Sequence, residues 1–502
     1  MSLFSMSLGQ ARVRLVQAGA VLGTAIVIAG CGAGYRPVVT PINPSGPAAQ
    51  PNSLVAVVSA PSPTSAGIAT IIDYSGDTIV AQAAIGPGPT NFTLDESGTS
   101  GYTANSDGTL TNFPVASTLQ AKNVTFTTLP TAAQPVALFS PSAGLWASDL
   151  NGNVADVLTG SPQTFKLSVP VAPTPITIVG PSLIGERNYA ITQGSVATGV
   201  DCNISPTTGP LGEADAIETT SYTVSARIPL GHCPVFAVQS PDARRLFVMN
   251  RGDDTITVIN SQNNTLDACT PFLNQNGQTV TCHPTLPLST TAVTATGVTP
   301  INGTTGMAAT AGPVYAEFNV ATSQLIVADY DGGTISVIDV SLDEFGNDSQ
   351  TFGTTFTIPV GANPAGVTAL YDGSRAYTAN QNDSTVTIVN LTSHSVEKTL
   401  PIIGHPRTIL STQNSLYGKV YVASPDSPYL TILRTDQDIV DTTVLVEGNI
   451  VDARVSTQNA VSGNANNVSR QPGYGQPCYL PPALMTTTYG AGYTLANCRT
   501  LP

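Results

Sequence analysis

Histidine is the residue type of this chain best suited to acid–base chemistry, because it titrates near neutral pH and often serves as a general acid or base. The sequence contains four histidines. His232 and His405 each follow a glycine, in the similar segments GHCP and GHPR, and Arg407 lies just beyond the second histidine. His283 lies beside a cysteine in a long insertion and His394 lies in a polar turn, so we expect both at the surface.

Three more charged residues, Glu317, Asp452 and Arg454, lie within short apolar segments that are typical of β-strands. Strands arranged around a central channel would bring these side chains near the two glycine-linked histidines and the arginine. Together they would line a small titratable pocket at the channel mouth, where a ligand could bind. The alternative, which the sequence favours, is that they fill the polar end of a narrow channel and bond to one another and to water.

No metal or cofactor is expected. Asp149–Asn153 (DLNGN) and Asp329–Gly332 (DYDG) resemble the start of a calcium loop, but neither has the acidic residue that closes such a loop. Both segments, and the adhesion-like tripeptide Arg251–Asp253 (RGD), fall where a hairpin turn is required. Quinone-dependent β-propeller proteins should carry a tryptophan in each blade, and this chain has only Trp146, which excludes that class of protein. The haem-attachment motif CxxCH is absent, which excludes covalently attached haem.

The elements that must position these residues are repeated strands. A short apolar strand, a polar turn and an alternating strand recur in segments beginning at Arg244, Ser323, Ser374 and Gly418. Self-similarity at a period of roughly 40–50 residues, with units made of strands, indicates a β-propeller. We therefore predict an all-β fold.

Counting the second strand of each unit predicts about eight four-stranded blades, with seven as the alternative. The first unit, from Ser53, lacks an innermost strand, and Ile450–Ser456 (IVDARVS) is an innermost strand with nothing after it. Pairing the two ends within one blade would close the ring and remove exposed sheet edges. The propeller is predicted to span residues 53–456.

The repeats resemble those of the YVTN family of β-propeller proteins, part of a lactonase-like superfamily. The matching stretches are Ser240–Asp242 (SPD), Ile335–Asp339 (ISVID), Val360–Pro364 (VGANP) and Tyr377–Asn380 (YTAN). The match is good from about Cys233 to Val446, outside the insertion, and loose before it. The resemblance implies the propeller fold; members of the family include surface-layer and cell-surface proteins.

The amino terminus reads as an export signal. Arg12 and Arg14 precede an apolar run from about Ala18 to Ile28, and Ile28–Cys31 (IAGC) resembles the lipobox of bacterial lipoproteins. That resemblance implies cleavage after residue 30, lipid on Cys31 and, with glycine next, sorting to the outer membrane, on its periplasmic face or the cell surface. Residues 31–52 form a proline-rich linker.

The composition excludes one class of partner. The formal net charge is −14, and the 18 lysines and arginines form no cluster. Such a surface repels phosphate backbones, so nucleic acid is not an expected partner.

Cysteine usage agrees with export. Seven cysteines leave six once Cys31 is lipidated, and an even number in an exported protein suggests disulfides. Six cysteines allow 15 pairings, of which the nearest-neighbour set is Cys202–Cys233, Cys269–Cys282 and Cys478–Cys498. These bridges would brace insertions at Asp201–Glu218 and about Asp267–Ala311, and a tail over residues 457–502. Zinc is disfavoured because close ligand pairs are missing.

The sequence therefore predicts a non-enzymatic binding or scaffold module, displayed at the bacterial cell envelope, whose ligand is a protein or a glycan. One alternative is a lactonase-like hydrolase that uses His232, His405 and Glu317, with Arg407 as an anion clamp. Another is a structural protein that assembles discs at the surface. Enzymatic activity is the less favoured reading.

Overall fold

The computed structural model describes residues 53–141, 144–180, 187–195, 202, 209–289, 291–294, 297–300, 310–412 and 418–457. The predicted signal segment, the lipidation site Cys31, the proline-rich linker and the tail with Cys478 and Cys498 lie outside these residues. Within the described ranges, no helix is long and apolar enough to cross a membrane.

Eight antiparallel sheets follow one another along the chain, and each is one blade of a propeller. The strands of the first four blades are β1 (Ser53–Ala60), β2 (Ala66–Asp73) and β3 (Thr78–Pro87) in blade 1; β4 (Pro89–Leu94), β5 (Ser100–Asn105), β6 (Thr109–Pro114) and β7 (Thr125–Thr128) in blade 2; β8 (Pro135–Phe139), β9 (Leu145–Asp149), β10 (Val154–Thr159) and β11 (Thr164–Pro170) in blade 3; and β12 (Pro175–Val179), β13 (Arg187–Thr192), β14 (Leu211–Glu218) and β15 (Thr223–His232) in blade 4. A single 3₁₀ turn, Ala121–Asn123, precedes β7 in the described chain.

The second half of the chain repeats this arrangement. Its strands are β16 (Pro234–Gln239), β17 (Arg245–Asn250), β18 (Thr255–Asn260), β19 (Thr265–Leu266), β20 (Phe272–Leu273), β21 (Thr279–Val280) and β22 (Thr285–Pro287) in and around blade 5; β23 (Thr291–Thr294) and β24 (Gly297–Pro300) in a separate hairpin; β25 (Pro313–Asn319), β26 (Gln324–Asp329), β27 (Thr334–Asp339) and β28 (Thr355–Pro359) in blade 6; β29 (Pro364–Ala369), β30 (Arg375–Asn380), β31 (Thr385–Asn390) and β32 (Ser395–Pro401) in blade 7; β33 (Thr408–Ser411), β34 (Lys419–Ala423), β35 (Tyr429–Arg434) and β36 (Ile439–Leu445) in blade 8; and β37 (Asn449–Thr457), which belongs to blade 1.

The two ends of the propeller meet in blade 1. The sheet order is β3-β2-β1-β37, so the carboxyl-terminal strand is innermost, and Val57 lies opposite Ala453 in the antiparallel pairing of β1 and β37. β37 also contacts β4 of blade 2 and β33 of blade 8, which closes the ring. The predictions of eight four-stranded blades and of closure within one blade are confirmed.

Burial explains why these segments form strands of two kinds. Inner strands are buried on both faces, as in β17 (RLFVMN), because each blade packs against two neighbours. Outer strands such as β32 (SVEKTLP) are largely exposed along one side. Cores therefore lie between blades, and one of them joins blades 5, 6 and 7 through contacts such as Phe236 with Tyr315.

Proline marks the entry to the inner strands. Six innermost strands begin with proline, which fixes φ and lacks an N–H to pair. Just before five of these prolines stand residues with left-handed φ values of 49° to 61°: Gly88, Thr174, Cys233, Gly312 and Asn363. This backbone turn sends the chain from the rim of one blade to the axis of the next. We call the face that carries these junctions, and the turns between second and third strands, the upper face.

The opposite, lower face carries side-chain clasps between blades. The hydroxyl of Tyr189 in blade 4 donates to Asn264 of blade 5 at 2.7 Å, and that of Tyr377 in blade 7 donates to Asp438 of blade 8 at 2.5 Å. Lys419 of blade 8 likewise donates to Asp77 of blade 1. In each case a residue near the start of a second strand reaches a turn of the next blade, so the clasps follow the repeat around the ring.

Two insertions interrupt the rhythm. In blade 4 the expected insertion ends earlier than predicted, because Leu211–Glu218 is the third strand of the blade and pairs with β13 and β15. In blade 5 the outer position is shared by β19 and β22, and the chain between them leaves the sheet as the β20–β21 hairpin. Disulfides join Cys202 to Cys233 and Cys269 to Cys282, which are two of the three nearest-neighbour pairs.

Candidate functional site

Three of the predicted ligand-binding residues meet where blade 8 adjoins blade 1. Asp452 accepts from Thr408 at 2.8 Å and from Arg454 at 2.9 Å, and a second contact of 2.8 Å completes the Asp452–Arg454 ion pair. Arg407 donates to the backbone carbonyl of Val451. The side chains of Asp452 and Arg454 are only 3% and 2% exposed, so this cluster is a buried link between two blades.

Glu317, the predicted acid on β25, bridges to the next blade instead. Its Oε1 accepts from the backbone N–H of Ala369 at 3.0 Å, and the residue is 1% exposed. Two other innermost strands use the same device: Asn91 accepts from the N–H of Leu138, and Thr368 accepts from that of Ser411. An innermost strand has a sheet neighbour on one side only, so polar side chains of the preceding blade satisfy N–H groups on its other edge.

The two glycine-linked histidines lie in equivalent upper-face junctions, three blades apart. His405 has its backbone N–H 2.8 Å from Asp426, and the same carboxylate also bonds its ring Nδ1. His232 has its N–H 2.6 Å from Asp253, but its ring Nδ1 contacts the carbonyl of Gly209 at 2.6 Å. The imidazole of His405 is thus held by a carboxylate and that of His232 by the backbone of the blade 4 insertion.

The aspartate that accepts from the N–H of each histidine has a structural role that the repeat explains. In the junction between blades 6 and 7 the corresponding residue is Ala362, and its N–H is bonded at 2.5 Å by Asp383. An aspartate in the turn between second and third strands therefore holds the junction whether or not the junction carries a histidine. The ring contacts of His405 with Asp426 and of His232 with Gly209 go beyond this shared architecture.

The structure thus gathers part of the predicted set. Arg407, Asp452 and Arg454 come together, and His405 lies two residues before Arg407 in the chain. His232 belongs to another junction, and Glu317 to another innermost strand.

Residues of the calcium-like and adhesion-like motifs make structural contacts, either within a turn or between blades. Asp149 accepts from the N–H groups of Asn151 and Gly152, as a hairpin turn requires. Arg251 of the RGD tripeptide forms a two-point ion pair with Asp331 of blade 6, at 2.8 and 2.7 Å. Among the described residues, no three His, Cys, Asp or Glu side chains are grouped to hold a metal ion.

A buried ionic network that the sequence does not predict lies on the lower side of blades 5 and 6. Arg245 lies 3.2 Å from Asp267 and 3.0 Å from Asp348, and Asp348 in turn lies 2.8 Å from His283 Nδ1. Burial raises the pKa of Asp267 to about 6, against the opposing attraction of Arg245. His283, expected at the surface, is only 30% exposed in its side chain and stacks on Phe352.

A repeated sequence pattern marks the position of Arg245. Arg187, Arg245, Arg375 and Lys419 are basic residues at the first position of a second strand, and an aromatic residue follows two positions later in each case. All four reach toward a turn or loop of the following blade. The repeat of this basic–x–aromatic pattern indicates a structural clasp, but the acidic partners are not visible in the pattern.

Comparison with known proteins supports the fold and does not establish a function. No family model and no curated protein matches the sequence. AztD from Citrobacter koseri aligns with a TM-score of 0.52 at 11% identity, over 80% of this chain and 97% of that one. The dihydro-heme d1 dehydrogenase NirN aligns with a TM-score of 0.52 at 14% identity, over 84% of this chain and 78% of that one. At such identities the likeness shows a shared β-propeller fold only.

Proposed function

We propose that this protein is a rigid, non-enzymatic binding or scaffold module displayed at the bacterial cell envelope, with a protein or glycan as its ligand. The predicted lipid on Cys31 would anchor it to the outer membrane. The residues after it would act as a proline-rich spacer between the anchor and the propeller.

The observation that carries this proposal is that polar side chains near the propeller axis form hydrogen bonds between blades. Glu317, Arg407 and Asp452 each bond a neighbouring blade, and clasps such as Tyr377 to Asp438 do the same on the lower face. Interactions of this kind hold the blades in fixed positions. A disc fixed in this way is suited to presenting its loops to a partner, because preorganised loops lose little entropy on binding.

A lactonase-like hydrolase is the second candidate, and one observation favours it. The contact of Asp426 with His405 Nδ1 orients the imidazole as a carboxylate orients a catalytic histidine. Arg407, two residues on, would be its anion clamp. The other residues that this hydrolase would use, His232 and Glu317, lie in other blades and make the contacts described above.

Assembly of discs through their outer strands has less support. In five blades the outer strand carries a β-bulge, with one extra residue opposite the third strand; these residues are Val80, Lys166, Ser225, Glu397 and Asp441. Bulges and charged residues at a sheet edge disfavour pairing with another sheet. In blade 6 the outer strand β28 contacts β23 of the insertion.

The envelope anchor is tested on the full-length chain expressed in bacterial cells with labelled palmitate. We expect the wild-type chain to carry the label and to sediment with the outer membrane. Cys31→Ser should lose both, and Cys202→Ser, which leaves Cys31 intact, should keep the label. An unlabelled wild-type chain would refute the anchor.

Binding is tested by a thermal-shift screen of the lipidated full chain in detergent, against glycans, peptidoglycan fragments and lactones. A ligand at a hundred times its Kd stabilises a protein by about 2.7 kcal/mol. A glycan or peptidoglycan shift that survives His405→Ala supports the binding module. A lactone shift that is lost in His405→Ala, together with lactone hydrolysis, would replace it with the hydrolase.

A further inference from the structure

We infer that two lower-side loops of blades 5 and 6 form a docking surface for a protein partner that presents apolar residues flanked by lysine or arginine. The loops are Asp267–Pro287 and Ser341–Thr354, and we call them the braced loop pair. The inference rests on the proposed binding function and assigns a site and a partner chemistry to it.

Large apolar side chains are exposed on both loops. Leu273 is 68% exposed, and Phe272 and Phe345 are each 42% exposed. The loops that carry them adjoin, since the side chain of Asn274 lies 3.3 Å from that of Asp343 and the side chain of Asn276 lies 2.6 Å from that of Glu344. Exposed apolar side chains on adjoining loops, with polar groups around them, are typical of protein-interaction sites.

The two turns that present these side chains have the same construction. The side-chain oxygen of Asn274 accepts from the N–H groups two and four residues later, and that of Asp343 does the same. The fourth residue of each turn is a glycine with left-handed φ, Gly277 at 75° and Gly346 at 84°. The backbone of each turn is therefore fixed by its own hydrogen bonds.

A disulfide and direct contacts between the two loops also fix the braced loop pair. The Cys269–Cys282 disulfide closes the first loop, and His283, the next residue, contacts the buried Asp348 of the second loop at 2.8 Å. Gln350 donates to the carbonyl of Thr279 at 2.8 Å as a further link. A disulfide, a buried ion-pair network and paired turns hold exposed phenylalanine and leucine in place, which reduces the entropy lost when a partner binds.

Charge selects the kind of partner. Hydrogen bonds from Asn347 and Asn274 outweigh partial burial and lower the pKa of Asp343, so this carboxylate is ionised beside the apolar side chains. Glu344 and Asp242 add negative charge, which the exposed cation Arg244, lying against Gly346, offsets only in part. A second copy of this chain would bring the same acidic groups together, whereas a basic rim on a different protein would complement them.

The test places a photo-crosslinking residue, p-benzoylphenylalanine, at Phe272 or Phe345 of the full-length chain in the cells that naturally make it. Leu445, 57% exposed on the outer strand of blade 8, is the matched control position. We expect one protein to be captured from both loop positions and not from the control, through a peptide that contains apolar residues and lysine or arginine. Adding Leu273→Ser should lower the yield from Phe345 about tenfold, and adding Leu445→Ser should not.

Several outcomes would overturn the inference. A product twice the mass of the chain would make a second copy the occupant, and crosslinks to lipid would make a membrane the occupant. Capture from the control position alone would leave the binding module intact but place its site elsewhere. Absence of capture at every position, together with no shift in the ligand screen, would count against the binding function itself. Thermal unfolding of each variant, expected within a few degrees of wild type because the substituted side chains are exposed, excludes misfolding.

Discussion

Arg245 and Asp348 are 103 residues apart in sequence, yet Nη2 of the arginine lies 3.0 Å from Oδ1 of the aspartate in a buried ion pair. The pair joins the second strand of blade 5 to the lower loop of blade 6. Asp267 of the blade 5 insertion contacts the same arginine. One guanidinium therefore holds together a blade, the adjacent blade and the insertion between them.

Breaking this pair should be costly. We expect Asp348→Ala to lower the free energy of unfolding by about 3–5 kcal/mol, because it leaves a buried guanidinium with less compensation. Urea unfolding followed by tryptophan fluorescence or circular dichroism measures the effect. Arg244→Ala is the control, since its contact with Asp242 is exposed and 3.9 Å long, and it should change stability by less than about 1 kcal/mol. Equal effects of the two substitutions would refute the assigned role.

Buried aspartates should make the protein more stable in mild acid than at alkaline pH. Burial raises the pKa of Asp156 and Asp267 to about 6, of Asp215 to about 7 and of Asp329 to about 8. Each raised pKa means that folding takes up a proton between the unfolded pKa, about 4, and the folded value. The stability contribution is therefore complete below about pH 4 and is lost as the pH rises to 8. Thermal unfolding between pH 4 and 9 should show a falling Tm above about pH 5, and a rising Tm would contradict the prediction.

Asp329 allows a single-residue test of that pH dependence. It ends the second strand of blade 6, where Asn250 and Asn380 end those of blades 5 and 7. The two asparagine amides donate to threonine hydroxyls of the third strand, whereas Asp329 accepts from Thr334 and Ser336 at 3.1 and 2.7 Å.

We expect Asp329→Asn to stabilise the protein at pH 8 by on the order of 1–2 kcal/mol. The carboxyl group is ionised in the unfolded chain at this pH and must take up a proton or bury its charge on folding, whereas a neutral amide does neither. At pH 5 the change should be small, since the aspartate is already protonated there. Chemical denaturation at both pH values measures it, with the exposed Glu447→Gln as control. A variant that is destabilised equally at both pH values would show that the carboxyl group has a different role.

The Cys269–Cys282 bridge should stabilise the chain by about 3 kcal/mol, as the chain-entropy treatment predicts for a loop of this length. We expect the double substitution Cys269→Ser, Cys282→Ser to lose about that much. Hydrogen exchange should quicken in Asp267–Pro287 and Ser341–Thr354 more than in blades 7 and 8. Uniform quickening across all blades would mean that the bridge acts on the whole ring and not on the braced loop pair.

Ring closure through β37 should be essential. Ala453 is fully buried opposite Val57, so Ala453→Asp places a carboxylate in an apolar site between the two ends of the propeller. We expect a loss of more than about 3 kcal/mol or failure to fold. Leu445→Asp, on an exposed position of β36, should be tolerated, and circular dichroism with size-exclusion chromatography compares the two. A folded, stable Ala453→Asp would indicate that blade 1 holds without its innermost strand.

Sequence patterns predicted the architecture because the architecture is local and repeated. Alternating strands, turn residues and proline at the entry to inner strands recur with one period, so the count of eight blades and the closure by Ile450–Ser456 follow from the order of residues alone. Cys202 pairs with Cys233 and Cys269 pairs with Cys282, so each of these disulfides joins cysteines that are neighbours in the sequence and is likewise a local feature. The predicted extent of the blade 4 insertion is wrong because Leu211–Glu218, a largely buried third strand, follows a stretch with no repeat signal.

The tertiary structure decided what the polar residues do. Glu317, Asp452 and Arg407 are separated by many residues in the chain, and only the packing of neighbouring blades shows that each bonds an adjacent blade. The contact between His283 and Asp348, and the pairing of the Asn274 and Asp343 turns, join an insertion to another blade, and no period in the sequence encodes such a contact. A repeat determines which residues form a strand, because strand formation depends on near neighbours; which side chains meet across blades depends on the closed ring, where distant segments become adjacent.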